Sequence, residues 1–137
     1  MNLNFKLAYT RVSKLTFETY EGDEEHLGFK YDLGMDETSK RLVRLVFDLS
    51  AKHKQNGIAY DVVFEGFFEF EETLPDDFLA SDIALINLPA IVYPMLRSFV
   101  ATFLLSAGHD PFYLPIVNFE QLVEENKQRQ ASSESTS

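Results

Sequence analysis

The apolar segment from Leu85 to Ala107 constrains the fold of this chain more than any other feature, because Arg97 is its only charged residue. Proline suits the first turn of a helix and glycine its end, so we expect a helix that begins at Pro89 or Pro94 and ends at Gly108. Apolar side chains cover most of its circumference: Ile91, Val92, Met95, Leu96, Phe99, Val100, Phe103 and Leu104. The helix should therefore be buried on two sides, by the chain's own sheet and by a second copy of the chain. Arg97 would then face an acid or a polar rim.

A membrane-spanning role is the main alternative for the same segment, which is long enough to cross a bilayer of about 30 Å. However, Arg97 would lie near the bilayer centre at a cost of about 2.5 kcal/mol or more. Asn87, Pro89 and Pro94 also interrupt the apolar run, and residues 1–12 lack the basic region and apolar core of an export signal. The sequence thus favours a cytoplasmic protein without membrane insertion, with which the absence of cysteine agrees.

Alternation of apolar and polar residues predicts four β-strands in the first half of the chain, at residues 3–17, 27–33, 43–51 and 58–70. Leu3, Phe5, Leu7 and Tyr9 are expected on one face of the first strand, and the break in the pattern at Arg11–Ser13 indicates a bulge or bend. Residues 54–57 are typical of a hairpin turn. Gly66, inside the fourth strand, indicates a bend or a close backbone approach. The short connections favour an antiparallel meander.

A second helix is predicted near the C-terminus, where Asn118 is a good N-cap and Gln121 stands at the capping-box position. Phe119, Leu122 and Val123 would form its apolar stripe. The predicted fold class is α+β, with a four-stranded antiparallel meander sheet followed by two C-terminal helices. Residues 1–130 are expected to form a single domain, and residues 131–137 a disordered tail.

The sequence carries no constellation of residues typical of an enzyme, a metal site or a cofactor site. His26, His53 and His109 lie in separate segments without zinc-motif spacing, and there is no glycine-rich phosphate loop. The net charge of −10 argues against nucleic acid as a partner, because phosphate binding requires Lys and Arg. That charge suits a basic or mixed-charge protein partner, or simply confers solubility.

Aromatic residues are unusually frequent, with thirteen phenylalanines and six tyrosines in 137 residues. In the fourth predicted strand they fall on both faces, at Phe64, Phe67, Phe68 and Phe70. An ordinary core plus an oligomer interface would account for them. Alternatively, they line a groove that takes extended, unfolded polypeptide, since such a groove needs apolar walls and free backbone edges.

The chain resembles the SecB family of bacterial export chaperones over most of its length. The resemblance rests on the order of four strands and two helices and on several short motifs: Leu15–Glu18 (Leu-Thr-Phe-Glu), Gly66-Phe67-Phe68, Pro94-x-x-Arg97, Gly108-x-x-Pro111 and Val117-Asn118-Phe119. It implies an ATP-independent holdase that keeps secretory precursors unfolded in the cytoplasm. It also implies a homotetramer, built as a dimer of dimers, that delivers its clients to the SecA motor ATPase.

The same resemblance implies roles for particular residues. Client polypeptide would lie against Phe29, Tyr31, Phe112, Leu114, Phe119 and Leu122. First helices would pack on one another through Met95, Leu96, Phe99 and Phe103. The basic, zinc-bearing tail of SecA would dock on an acidic outer sheet face that includes Glu18 and Asp61.

Three residues depart from the family pattern. Lys14 stands where an acid is typical, Ala59 where a larger aliphatic residue is typical, and Glu25 where an aromatic residue is often found. The reversed charge at Lys14 bears more on SecA recognition than on chaperone activity. Two alternatives therefore remain: a chaperone of the same fold dedicated to one labile client such as an antitoxin, or an adaptor subunit whose apolar helix binds a fixed partner.

Overall fold

The computed structural model describes residues 3–135 and confirms the predicted α+β class, a four-stranded antiparallel sheet followed by two helices. The strands are β1 (Phe5–Thr19), β2 (His26–Met35), β3 (Leu42–His53) and β4 (Ile58–Phe70). A 3-10 turn (Phe78–Ala80) and a π-helical segment (Ile83–Asn87) lead into α1 (Leu88–Ser106), and α2 (Phe119–Ser135) follows. The first helix begins at Leu88 and so holds Pro89 in its first turn, as predicted, whereas Pro94 lies inside it.

The strand order is β1-β4-β3-β2, so the predicted meander is wrong for the first strand. Strands β2 to β4 do form a meander, but β1 pairs with β4 instead of β2. Strand β4 is apolar on both faces and gains a hydrogen-bonded neighbour on each side in this arrangement. Residues 20–25 connect β1 to β2 across roughly 14 Å, three strand spacings, which a link of this length can span. The backbone N–H of Tyr20 donates to the carbonyl of Gly57 (2.7 Å), which holds this link against the β3–β4 turn.

Strand β1 contains two register shifts, one between Leu7 and Tyr9 and one between Val12 and Lys14. The second agrees with the predicted bulge at Arg11–Ser13. The first was not predicted, and its extra residue turns Tyr9 to the opposite face of the sheet from Leu7. Tyr9 therefore stacks on Phe67, with ring centroids 4.4 Å apart, on the face that the helices do not cover.

Helix α1 packs on one face of the sheet, called here the inner face. Its buried stripe recurs every four residues and meets the inward side chains of β3 and β4: Leu88, Val92, Leu96, Val100 and Leu104. Residues 83–106 are long and apolar enough to cross a membrane by length and composition alone, a test that the core helix of a soluble protein also passes. The fully buried stripe shows that one side of this helix belongs to the protein core. The close approach expected at Gly66 is present, since a Cβ there would lie 2.8 Å from Cγ2 of Val92.

Helix α2 corrects the predicted tail. It extends to Ser135, so residues 131–135 are helical, while residues 136–137 lie outside the described residues. The helix continues beyond its apolar stripe because strong helix formers follow: Glu124, Glu125, Lys127, Gln128, Arg129 and Gln130.

Candidate functional site

Five aromatic residues from four elements meet where α2 begins. Phe29 and Tyr31 come from the inner face of edge strand β2, Phe47 from β3, Tyr93 from α1 and Phe119 from α2. The ring centroid of Phe119 lies 5.5 to 6.5 Å from those of the other four, within the range of favourable aromatic pairs. These five residues are called the aromatic cluster below.

The aromatic cluster combines buried and accessible rings. Phe47, Tyr93 and Phe119 are buried, whereas Phe29 and Tyr31 are half-buried at the free edge of the sheet. The hydroxyl of Tyr31 donates to the carbonyl of Leu85 (2.8 Å), which joins β2 to the π-helical segment. Burial raises the pKa of the Tyr31 and Tyr93 hydroxyls, so both remain neutral donors near neutral pH.

Phe29, Tyr31 and Phe119, three of the six predicted client-binding residues, thus lie together. Sequence reasoning did not assign Phe47 or Tyr93 to this site. The alternation of β3 does place Phe47 on the inner face, in register with Tyr31, but no pattern in the sequence indicates that Tyr93 reaches α2.

The segment between the helices, residues 107–118, is held against α1 by two hydrogen bonds. Tyr93 donates its hydroxyl to the carbonyl of Pro115 (2.6 Å), and Arg97 donates Nε–H to the carbonyl of Leu114 (2.9 Å). The partner of Arg97 is therefore a backbone carbonyl and not the acid or polar rim expected. This segment is called the crossover below.

The remaining predicted client-binding residues are placed differently from one another. Leu114 is buried in the core, and Leu122 is half-buried beside the aromatic cluster on α2. Phe112 is also half-buried, but its ring lies 4.3 Å from that of His53, on β3. The outward residues of the crossover, Tyr113 and Ile116, are strongly exposed.

His53 and Tyr60 form a buried polar pair beneath Phe112, with Nε2 of His53 and the Tyr60 hydroxyl 2.9 Å apart. Burial raises the pKa of Tyr60 to about 12. Burial also lowers the pKa of His53, a shift that the nearby charge of Glu25 opposes. The pair therefore favours a neutral imidazole in the folded protein.

We expect the free energy of unfolding to fall on acidification through this histidine. Its pKa in the unfolded chain is about 6.5 and its folded value is lower, so the unfolded state takes up the proton first as the pH falls below that value. The contribution of neutral His53 is complete above pH about 6.5 and declines below it. Urea unfolding between pH 5 and 7 should show a shallower pH dependence in His53→Gln, which keeps a hydrogen-bonding group. Equal slopes in the two proteins would contradict this prediction.

The predicted oligomer contacts divide between two sides of α1. Leu96 faces the sheet and has no exposed surface, so it cannot contact a second copy in this conformation. Met95 is 40% exposed, and Phe99 and Phe103 are half-buried, with their rings stacked 6.0 Å apart. Ile91 extends the partly exposed stripe. The apolar circumference of α1 therefore divides into a fully buried stripe and a partly exposed stripe, called the outward stripe below, whose Phe99 and Phe103 also contact Phe64 of β4 and Phe17 of β1.

The outer sheet face, formed by the side chains that alternate away from α1, is not acidic. Six basic residues on it are Lys6, Arg11, Lys14, Lys30, Arg44 and Lys52. The same face carries an equal number of acidic residues, six in all: Glu18, Asp32, Asp48, Asp61, Glu65 and Glu69. Glu18 and Asp61 lie there in neighbouring rows, and Asp61 accepts a hydrogen bond from Thr16 (3.1 Å). The expectation of an acidic face is therefore wrong for the face as a whole.

Glu65 is the buried charged residue of this face, only 1% exposed, between Arg11 of β1 and Arg44 of β3. Nε of Arg11 lies 2.6 Å from its carboxylate, and Arg44 bonds the other oxygen. Burial raises the pKa of Glu65, but the hydrogen bonds from the two guanidinium groups outweigh burial and leave the pKa below its usual value. The carboxylate is therefore ionised at neutral pH.

Substitution Glu65→Gln should lower the free energy of unfolding by about 1–2 kcal/mol at pH 7, less than for a fully buried pair because both arginines are half exposed. The difference in unfolding free energy between this variant and wild type should shrink as the pH falls through the lowered pKa of Glu65. The wild-type carboxylate then becomes neutral, as the glutamine amide already is. Urea unfolding at pH 7 and pH 3 measures both effects. Glu69→Gln is the matched control, because its pair with Lys6 is exposed. Equal losses in the two variants would contradict the role of Glu65.

The described residues contain no group of three His, Asp or Glu side chains arranged to hold a metal ion. Their notable arrangement is instead apolar, an aromatic cluster at a free sheet edge beside a crossover and a terminal helix. These features define an α+β protein whose candidate site is apolar and rich in aromatic rings.

The comparisons with known proteins identify the family. The model of the preprotein translocase subunit SecB matches residues 24–130, and the chain therefore belongs to the SecB family. Members of this family are soluble chaperones rather than enzymes. No curated protein matches the sequence.

Two solved structures share the fold. One is the Mycobacterium tuberculosis SecB-like chaperone Rv1957 in complex with a ChAD peptide from the HigA1 antitoxin Rv1956. It is 17% identical, with a TM-score of 0.62 over 82% of this chain and 90% of that one. The other is a Streptococcus agalactiae protein of unknown function, 10% identical, with a TM-score of 0.59 over 85% of this chain and all of that one. At these identities the likeness concerns the fold alone.

Proposed function

We propose that this chain is an ATP-independent holdase that binds unfolded polypeptide along β2, the crossover and α2. The observation that carries the proposal is the aromatic cluster, whose accessible rings, Phe29 and Tyr31, lie on a strand with one free edge. Each apolar client side chain that is fully buried there would contribute roughly 1.5–3 kcal/mol. The cost of ordering the client offsets much of this gain, which suits broad and reversible binding.

A homotetramer in the cytoplasm is part of the proposal. The outward stripe of α1, with Met95, Phe99 and Phe103, supports a helix-mediated contact between copies, and both edge strands are free to pair. Leu96 is omitted from this interface because it packs on the sheet of its own protomer.

The deciding experiment measures aggregation of a denatured, slow-folding precursor with and without excess protein, in the absence of nucleotide. Light scattering on the same sample gives the oligomer mass. Suppression of aggregation by a tetramer would support the proposal. A monomer or dimer without effect on any of several unfolded proteins would contradict it and favour the adaptor alternative.

The proposal leaves two candidate roles for the holdase, which are delivery of clients to SecA and protection of one dedicated client. Delivery to SecA would use Glu18 and Asp61, but the balanced charge of the outer sheet face gives a basic tail little electrostatic attraction. This balance favours the second candidate, a chaperone dedicated to one labile client such as an antitoxin. The fold shared with Rv1957, whose structure holds an antitoxin peptide, agrees with that candidate.

Lys14 offers a direct test of the SecA candidate. Calorimetric titration with the zinc-loaded C-terminal tail of SecA should give weak or no binding to the wild-type chain. Lys14→Glu should strengthen binding, because it leaves the face with an excess of acid, and Asp61→Asn should weaken whatever binding exists. Tight binding by the wild-type chain that Lys14→Glu does not change would favour SecA as the natural partner.

A further inference from the structure

Phe119 fills the centre of the site proposed for clients. Its side chain is 4% exposed, and the rings of Phe29, Tyr31, Phe47 and Tyr93 surround it. The resemblance to the family assigned Phe119 to the wall of a client groove. In this chain the residue instead takes the position that an aromatic client side chain would need.

Helix α2, which carries Phe119, is weakly anchored. Among its residues 119–131, whose side chains the structure describes, three pack against the rest of the molecule, namely Phe119, Leu122 and Val123. The side chains of residues 124–131 are exposed and almost all polar. Tertiary packing supplies most of the stability of a helix in a protein, so α2 depends on those three contacts for its position.

A connection of three residues precedes the helix. The bonds from Arg97 and Tyr93 hold the crossover at Leu114 and Pro115, and α2 begins at Phe119. Among the three residues between them, Ile116 is 85% exposed, whereas Val117 is half-buried against the core. Rotation about residues 116–118 would withdraw Phe119 at the cost of the Val117 contact, without breaking either hydrogen bond of the crossover.

We propose that Phe119 is an internal occupant of the client pocket, and that clients bind by inserting an aromatic side chain in its place. The inference rests on the proposed function and assigns the pocket a ligand class, a planar aromatic side chain on an extended segment. Displacement makes binding selective, because a client without such a side chain gains too little to replace Phe119. It also weakens the apparent affinity, because a client can bind only those molecules in which the pocket is open.

The first test is fluorescence anisotropy with a labelled, unstructured peptide that carries one phenylalanine flanked by leucines. We expect Phe119→Ala to bind it about tenfold more tightly than wild type, since the pocket is already open. Tyr9→Ala, which removes an exposed ring from the outer sheet face, should match wild type, and replacing the peptide's phenylalanine by alanine should abolish the gain. Unchanged or weaker binding by Phe119→Ala would overturn the inference and restore Phe119 to the groove wall.

The second test follows the side chain itself and does not require the pocket to be emptied. The chain contains no tryptophan, so Phe119→Trp places a single reporter at this site. Its emission should be blue-shifted in the free protein and shift to longer wavelength when a tryptophan-free peptide is added. Emission that stays blue-shifted at saturation would overturn the inference. If neither the wild-type chain nor any variant binds peptide or unfolded protein, the holdase proposal itself fails. If the chain binds peptide but Phe119→Ala lowers the affinity, only the displacement of Phe119 is rejected.

Discussion

Substitution of Gly66 by alanine is expected to lower the free energy of unfolding by about 1–3 kcal/mol, the usual cost of overpacking a core. A Cβ at this position would lie 2.8 and 3.3 Å from the two γ-methyl groups of Val92 and 3.6 Å from Leu7. Val92 is β-branched and lies within α1, where its χ1 angle has one strongly preferred value, so its side chain cannot turn away. The helix must then move off the sheet, or β4 must bend.

The same contact can be tested by rescue. Val92→Ala alone leaves a cavity and is itself destabilising. In the double variant the new methyl group enters that space, so the combined loss should be smaller than the sum of the single losses by at least about 1 kcal/mol. Gly34→Ala is the matched control, because a Cβ at Gly34 meets nothing within 4 Å, and its stability should change little. Additive losses, or a Gly66→Ala as harmless as Gly34→Ala, would contradict the prediction.

Gly66 illustrates what the sequence could reveal about the fold. A lone glycine in a strongly apolar strand indicated a close approach, and alternation located all four strands, because local residue order determines which side chains share a face. Alternation does not specify which strands pair. The place of β1 beside β4 depends on how the connection between β1 and β2 crosses the β3–β4 turn, a tertiary contact without a local signature.

The candidate site was partly predictable for the same reason. Phe29 and Tyr31 follow from the alternation of β2, and Phe119 from the apolar stripe of α2. The hydrogen bonds of Tyr93 and Arg97 end on backbone carbonyls, which every residue possesses, so no pattern of charges could indicate them. Phe119 was assigned to the site, but its place inside the pocket depends on how α2 docks and could be read only from the structure.

The largest effect on function is expected from Phe29→Ala. This ring stacks on Phe47 at 5.4 Å and stays half-buried at the free edge of the sheet, where a client side chain can cover its remaining surface. Loss of a well-buried aromatic contact corresponds to roughly 1.5–3 kcal/mol. Affinity for an unfolded client should therefore fall about tenfold to a hundredfold.

The control for this substitution is Tyr9→Ala. Tyr9 is also a strand aromatic, stacked on Phe67 and 52% exposed, but it lies on the outer sheet face. Both variants lose an aromatic ring from an edge strand. A general effect of surface hydrophobicity or of stability would therefore lower the client affinity of both variants alike. Anisotropy titrations with one labelled, unfolded client, at a temperature where circular dichroism shows both variants folded, separate the two cases. A selective loss in Phe29→Ala assigns client binding to the inner face, whereas equal losses would move the site away from the aromatic cluster.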